Sequence, residues 1–276
     1  MAETRLADIS EFQQNIDAPS YLNAGNHCLI VRAHNGWRKD NMWPGRRDYL
    51  RGFPFVAIGW YQYLVAGRDA AQQAREFIAT VGDLRANEFV ILDHEEGPGY
   101  QAPRAEAWFR VVDDHYGFPA TLYAGMYYGR DNLGGWARWA GRPRWVAAYG
   151  QSEPTDPHEF WQYSSSGHFA GLSGGVDSSL YHGTDVEFLH MARPGAKPPA
   201  TTPTPKPPTE DEIVSVTCGQ NKAGSFHVFV EAKDGSLWYT WQKPGETSWE
   251  GGKAGVSPAA LKPFAPAPKT TATAAR

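Results

Sequence analysis

The stretch Phe89-Val-Ile-Leu-Asp-His-Glu-Glu-Gly97 decides how this chain is read. A short apolar run, suited to a fully buried strand, leads straight into Asp93, His94, Glu95 and Glu96. Side chains alternate along a strand, so Asp93 and Glu95 share a face, roughly 6–7 Å apart. Carboxyls that close perturb each other: one stays ionised while the other is pushed towards its protonated form. Glycoside cleavage needs that division, an acid for the leaving oxygen and a carboxylate facing the sugar carbon. Spacing alone leaves an idle, solvated acidic turn open as well. A metal site lacks an accompanying histidine pattern.

Outward from this strand, similar short runs recur at 6–9, 28–32, 55–61, 121–124, 145–148 and 160–162. Helical periodicity is clearest at 69–80 and 103–116. Alternating strands and helices predict a mostly parallel sheet covered by helices. Seven or eight strands in about 190 residues favour an irregular TIM-like (β/α) barrel, an α/β fold. An open doubly wound sheet is the alternative, but no Gly-rich phosphate loop follows the first strand. Two further acids stand out. Asp8 ends the first apolar run, where a helix N-cap is the competing role. Asp177 lies in Gly174-Gly-Val-Asp-Ser178, where an ordinary turn aspartate competes. In a barrel the first and last strands are neighbours, so these acids would converge with Asp93 and Glu95 at one mouth.

Composition narrows the classes. The chain has 276 residues, 41% hydrophobic and 20% charged, which is globular. No apolar run is long enough for a membrane helix, and the N-terminus does not read as a secretory signal. A net charge of −4 argues against a general nucleic-acid binder. Cys28 and Cys218 stand alone, which disfavours a disulfide framework or a cysteine zinc site. Residues 1–193 hold a single lysine, Lys39, whereas eight lysines follow Ala196. That shift, across a Pro/Thr-rich segment at 194–212, predicts two units. The first is a catalytic barrel at 1–193. The second is a small all-β unit at 213–264, with strands at 213–218, 226–232 and 236–242. The last two are joined through an Asp234-Gly235 turn, and a disordered tail follows at 265–276.

The ordered set of motifs resembles the family 25 glycoside hydrolases, the N-acetylmuramidase lysozymes common among bacteriophage endolysins. It runs from Asp8-Ile-Ser10 with Gln13 and Asp17, through Val31-Arg-Ala33 with Gly36 and Asp40, to Gly59-Trp-Tyr-Gln-Tyr63. Leu92-Asp-His-Glu95, Trp145-Val-Ala-Ala-Tyr149, Trp161-Gln-Tyr-Ser-Ser165 and Gly175-Val-Asp177 complete it. The resemblance covers about residues 5–190. It implies cleavage of the β-1,4 bond between N-acetylmuramic acid and N-acetylglucosamine in bacterial peptidoglycan, with no metal or organic cofactor. It assigns Glu95 as general acid, Asp93 as the carboxylate supporting the transition state, and Asp8 and Asp177 as further groove acids. Tyr61 and Trp145 would be sugar platforms, with core packing as their other role. Tyr149 and Gln162 would lie near the groove. Two positions depart from the family pattern. His94 replaces an apolar residue and by alternation points away from the acids. Gln62 replaces a frequent histidine, as a substrate contact or a supporting hydrogen bond.

The segment around Gly224-Ser-Phe-His-Val-Phe-Val230 and Lys233-Asp-Gly-Ser-Leu-Trp-Tyr-Thr-Trp-Gln242 resembles one blade of a lectin-type β-propeller. A lone blade leaves edges and an apolar face to cover. Wall or sugar binding through Trp238, Trp241 and Trp249, self-association, or docking to virion tail proteins through 213–264 would each do so. Two function classes follow. One is a phage lysin degrading the cell wall, held in the host cytoplasm before lysis. The other is a virion tail protein that uses the barrel for wall binding or local digestion.

Overall fold

The computed structural model describes residues 2–150, 152–195, 211, 213–220, 226–233, 237–242 and 250–253. The chain divides into two compact units, Met1–Ala200 and Thr201–Arg276.

In the first unit eight strands close into a barrel in sequence order. They are β1 (Thr4–Ile9), β2 (Cys28–His34), β3 (Ala57–Tyr63), β4 (Glu88–Asp93), β5 (Thr121–Gly125), β6 (Arg144–Ala147), β7 (Phe160–Gly167) and β8 (Val176–Tyr181). Strands β1 to β7 pair in parallel, and β8 closes the ring antiparallel to both β7 and β1. The barrel therefore matches the expected α/β class, with one strand the sequence reading did not place. Val176-Asp-Ser-Ser-Leu-Tyr181 is too polar to read as a buried run. Its hydrogen bonding comes from closing the barrel rather than from local preference.

Helices α1 (Ala18–Asn23), α2 (Trp43–Leu50), α3 (Ala70–Val81), α4 (Ala102–Tyr116), α5 (Met126–Asp131) and α6 (Asp185–Ala192) connect the strands. Helix α3 starts where the Asp69 carboxylate accepts from the Gln72 backbone N–H at 2.6 Å. It buries Ala70, Ala74, Phe77 and Val81 at helical spacing. Helix α4 ends at Gly117, whose φ of 77° only glycine adopts freely. Strand β4 is buried on both faces, as expected where helices cover a parallel sheet.

One buried ion pair fastens the base of the barrel. Glu88, at the start of β4, is fully buried and accepts from Arg51 Nε and Nη2, both at 2.7 Å. Without that guanidinium the carboxylate would keep one backbone donor, the Arg85 N–H at 3.0 Å. Arg51→Ala is therefore expected to cost about 3 kcal/mol of stability, because it leaves a buried charge without its partner. Urea unfolding checks this, and a loss below about 1 kcal/mol would mean that relaxation rescues Glu88.

The second unit contains a four-stranded antiparallel sheet in the order β12-β11-β10-β9. Its strands are β9 (Ile213–Gln220), β10 (Phe226–Ala232), β11 (Leu237–Gln242) and β12 (Glu250–Lys253), one more than the sequence reading placed. Residues 196–210 and 212 of the 194–212 linker, the Asp234-Gly235 turn, Trp249 and the tail at 265–276 lie outside the described residues.

Candidate active site

The strand register gathers the acids. Asp8 and Asp177 are direct partners across the antiparallel β1–β8 pair. Tyr63, Asp93, Tyr123 and Trp145 form one row across β3 to β6. Glu95 lies two residues beyond Asp93, past the end of β4. The backbone there stays pinned, because the His94 N–H donates to the Tyr123 carbonyl at 3.0 Å and the Leu64 N–H to the Asp93 carbonyl at 2.8 Å. Asp93 and Glu95 thus keep a common side after regular pairing has stopped. Asp8, Asp93, Glu95 and Asp177 all line one groove of about 230 Å³, with Ser10, Phe12, Arg32, Tyr61, Tyr63, Tyr123 and Trp145.

The electrostatics follow from burial and like charge. Asp93 is 7% exposed. Burial first, then the Glu95 charge, pushes its carboxyl well above the ordinary range. Glu95 is exposed on the groove, yet the surrounding protein displaces enough water to raise it as well. Asp8 is driven up by burial and then by Asp177. Asp177 is half-buried and raised by desolvation. The groove thus holds two coupled carboxyl pairs that retain protons above the pH at which free carboxyls lose them. Arg32 is the cation of the lining. It donates to Asp40 at 2.9 Å and Glu11 at 2.8 Å, so its charge is largely engaged.

Gln162 ties the other predicted residues together. It is buried and donates through Nε2 to Asp8 Oδ2 at 2.7 Å. Its Oε1 accepts from Tyr123 at 2.7 Å and Tyr149 at 2.5 Å. Tyr149 itself is 46% exposed. Tyr61 and Trp145 are 9% and 2% exposed, so they form the groove floor rather than open faces. Trp145 packs between Phe160, with rings stacked at 5.2 Å, and Tyr123 at 4.3 Å.

Gln62 is corrected as a substrate-contacting residue. It is fully buried on the outward side of β3, because Tyr61 and Tyr63 take the inward positions. It accepts from Trp108 Nε1 at 2.6 Å and donates to His34 Nδ1 at 3.1 Å. Burial holds His34 down at about 4, and the Gly36 N–H donates to its Nδ1 at 3.0 Å, so in the neutral ring that nitrogen is the acceptor. His94 is also buried and kept neutral by burial, its pKa pushed down to about 4, with its ring against Tyr128. The competing roles for the two outer acids also fall away. Asp8 lies within β1, and Asp17 is the residue that caps α1. Asp177 lies in β8 rather than in a turn.

Sequence reading missed Tyr63, Tyr123, Arg32, Ser10 and Phe12 as lining residues. Alternation from Tyr61 points to Tyr63. Tyr123 and Arg32 require the cross-strand register, and the exposure of Phe12 is set by the fold alone. Among the described residues no three His, Cys, Asp or Glu side chains are arranged to hold a metal ion. No described helix is long and apolar enough to cross a membrane.

A closed α/β barrel whose mouth gathers paired carboxyls suits glycoside cleavage, which needs two such groups flanking the bond. Residues 7–172 match the family model described as glycosyl hydrolases family 25, and the chain belongs to that family. The protein YegX of Escherichia coli strain K12 is 32% identical over 202 residues, covering 69% of this chain and 73% of YegX. Lysozyme M1 of Streptomyces globisporus is 26% identical over 207 residues, 67% of this chain and 70% of that one. Among solved structures, the bacterial lysozyme from Streptomyces coelicolor superposes with a TM-score of 0.60 at 23% identity. The match covers 70% of this chain and 98% of that one.

Proposed function

We propose that this glycoside hydrolase is a muramidase that cleaves the β-1,4 bond between N-acetylmuramic acid and N-acetylglucosamine in bacterial peptidoglycan. The observation that carries the reading is the exposed Glu95 carboxyl beside the buried Asp93 at the groove, both with raised pKa. In this reading Glu95 gives its proton to the glycosidic oxygen as the bond to the anomeric carbon breaks. Asp93 faces the positive charge that develops at the sugar ring. Asp8, oriented through Gln162, and its cross-strand partner Asp177 complete the negative field. The relationship to Lysozyme M1 supports peptidoglycan as the substrate.

The biological setting we propose is a bacteriophage lysin, held in the host cytoplasm until it reaches the wall. In it, 194–212 is a linker and 213–264 a module that holds wall sugars. A virion-borne lysin is the other setting, and co-purification with phage particles in fixed stoichiometry separates the two.

Digestion of purified peptidoglycan, borohydride reduction and mass spectrometry test the chemistry. Reduced muramic acid ends are the expected product. Reduced glucosamine ends would overturn the bond assignment. No fragments from several wall types, with folded protein, would overturn the hydrolase reading.

A further inference from the structure

Three rings around the barrel mouth share one construction. Phe12, Trp37 and Tyr127 are 77%, 68% and 62% exposed. Each has an arginine guanidinium on its ring, at 5.3, 5.3 and 5.4 Å from the centroid for Arg32, Arg68 and Arg130. Each guanidinium is in turn clamped by carboxylates. Arg32 is held by Glu11 and Asp40. Arg68 makes a two-pronged pair with Glu76 at 2.8 and 3.0 Å. Arg130 makes one with Asp156 at 2.6 and 3.0 Å.

The Trp37 turn is braced further. The Asn35 carboxamide oxygen accepts from the Trp37 and Arg38 N–H groups at 3.1 and 3.0 Å. Gly36 has φ 87°, and a Cβ there would come 2.5 Å from Val65 Cγ1 and 2.8 Å from the Tyr63 carbonyl, so the turn sits tightly on the end of β3. The Gly36 N–H also donates to His34 Nδ1 at 3.0 Å, the atom that Gln62 holds from behind. Holding a ring still in water costs side-chain entropy, which the cation–π contact offsets within the folded chain. It lowers the cost of stacking a ligand on the free face.

The placement says which ligand. Phe12 follows β1 and Trp37 follows β2, while Tyr127 starts α5 directly after β5. In a closed barrel of eight strands β5 lies across the mouth from β1, so the rings flank the groove on opposite sides. Phe12 also lines the groove itself, and Trp37 and Tyr127 follow strands β2 and β5 of the same barrel mouth. Resting on the muramidase reading, we propose that Trp37 and Tyr127 are remote glycan-stacking positions, so that the enzyme grips a peptidoglycan strand well beyond the two sugars flanking the cut. A pyranose ring offers an apolar face of aliphatic C–H groups, which an immobilised aromatic face accepts.

Kinetics on two substrates test this: glycan strands stripped of stem peptides, and the shortest oligosaccharide the wild type cleaves. Trp37→Ala and Tyr127→Ala are each expected to raise KM on the strands roughly 5-fold, with kcat held, and to leave the short substrate unchanged. Trp37→Phe should restore most of the lost affinity. Both rings are exposed, so thermal unfolding should not move. Equal losses on both substrates, or no loss on either, would overturn the proposal. A wild type inactive on both would overturn the hydrolase reading and the subsites with it.

Discussion

Glu95→Gln is expected to lower kcat on peptidoglycan by about 10²–10⁴-fold, the usual worth of a general acid. The amide keeps the size of the side chain and most of its hydrogen-bonding shape, but it has no proton of suitable acidity to give. Glu95 is exposed on the groove and makes no contact that the core depends on, so the variant should fold. At neutral pH it should be at least as stable as the wild type, because a raised carboxyl, and its charge beside Asp93, are removed. The measurement is the rate of reducing-end release, with thermal unfolding alongside. A folded variant within about 10-fold of wild type would remove Glu95 from the acid role.

Asp93→Asn is expected to have two effects of opposite value. Activity should fall by about 10²-fold or more, because a neutral amide cannot balance charge developing at the sugar. Stability should rise at neutral pH. The sign follows from the raised carboxyl of Asp93. A group whose folded pKa exceeds its unfolded value supports folding most fully below the unfolded value, near 3.8. That support is lost as pH climbs through the raised folded value. Asparagine does not titrate, so the stability gain over wild type should be absent near pH 3 and grow towards pH 7. The residual activity should also shift. The Asp93 hydrogen bond holds the Glu95 carboxyl down against the burial that raises it, so losing that acid donor should move the alkaline limb of the pH profile towards higher pH. Unfolding at a series of pH values, and the pH–rate profile, check both. A gain independent of pH, or an unmoved alkaline limb, would show that Asp93 and Glu95 do not titrate as a pair.

The gain in stability and the loss in activity have one origin. Four carboxyls with raised pKa sit at one mouth, two of them buried, and the fold carries that strain for the chemistry. Gln162 lessens it by giving Asp8 a donor inside the barrel. The clamped arginines of the rim lie outside this cluster, except Arg32, whose charge lowers the Asp93 carboxyl slightly.

Much of the barrel was legible from residue order alone. Strands buried on both faces read as unbroken apolar runs, and 28–32 or 89–92 can be little else. The Asp93/Glu95 pair was legible because alternation is a local rule, and the chain obeys it for two residues past the strand. The outward turn of Gln62 follows from the same rule only once Tyr61 and Tyr63 are both known to face inward, and the sequence reading identifies only Tyr61. Strand β8 was not, because its polar residues carry no periodic signal and its pairing depends on where β1 and β7 already lie. So the sequence by itself determined the fold class, the acid pair and the order of the motifs, all set by side-chain chemistry within a few residues. Only the tertiary structure decided that Asp177 faces Asp8, that Trp145 is floor rather than platform, and that Phe12, Trp37 and Tyr127 stand exposed around one mouth. Those facts depend on barrel closure, which joins residues about 170 positions apart through register and burial. No local preference encodes such a distance.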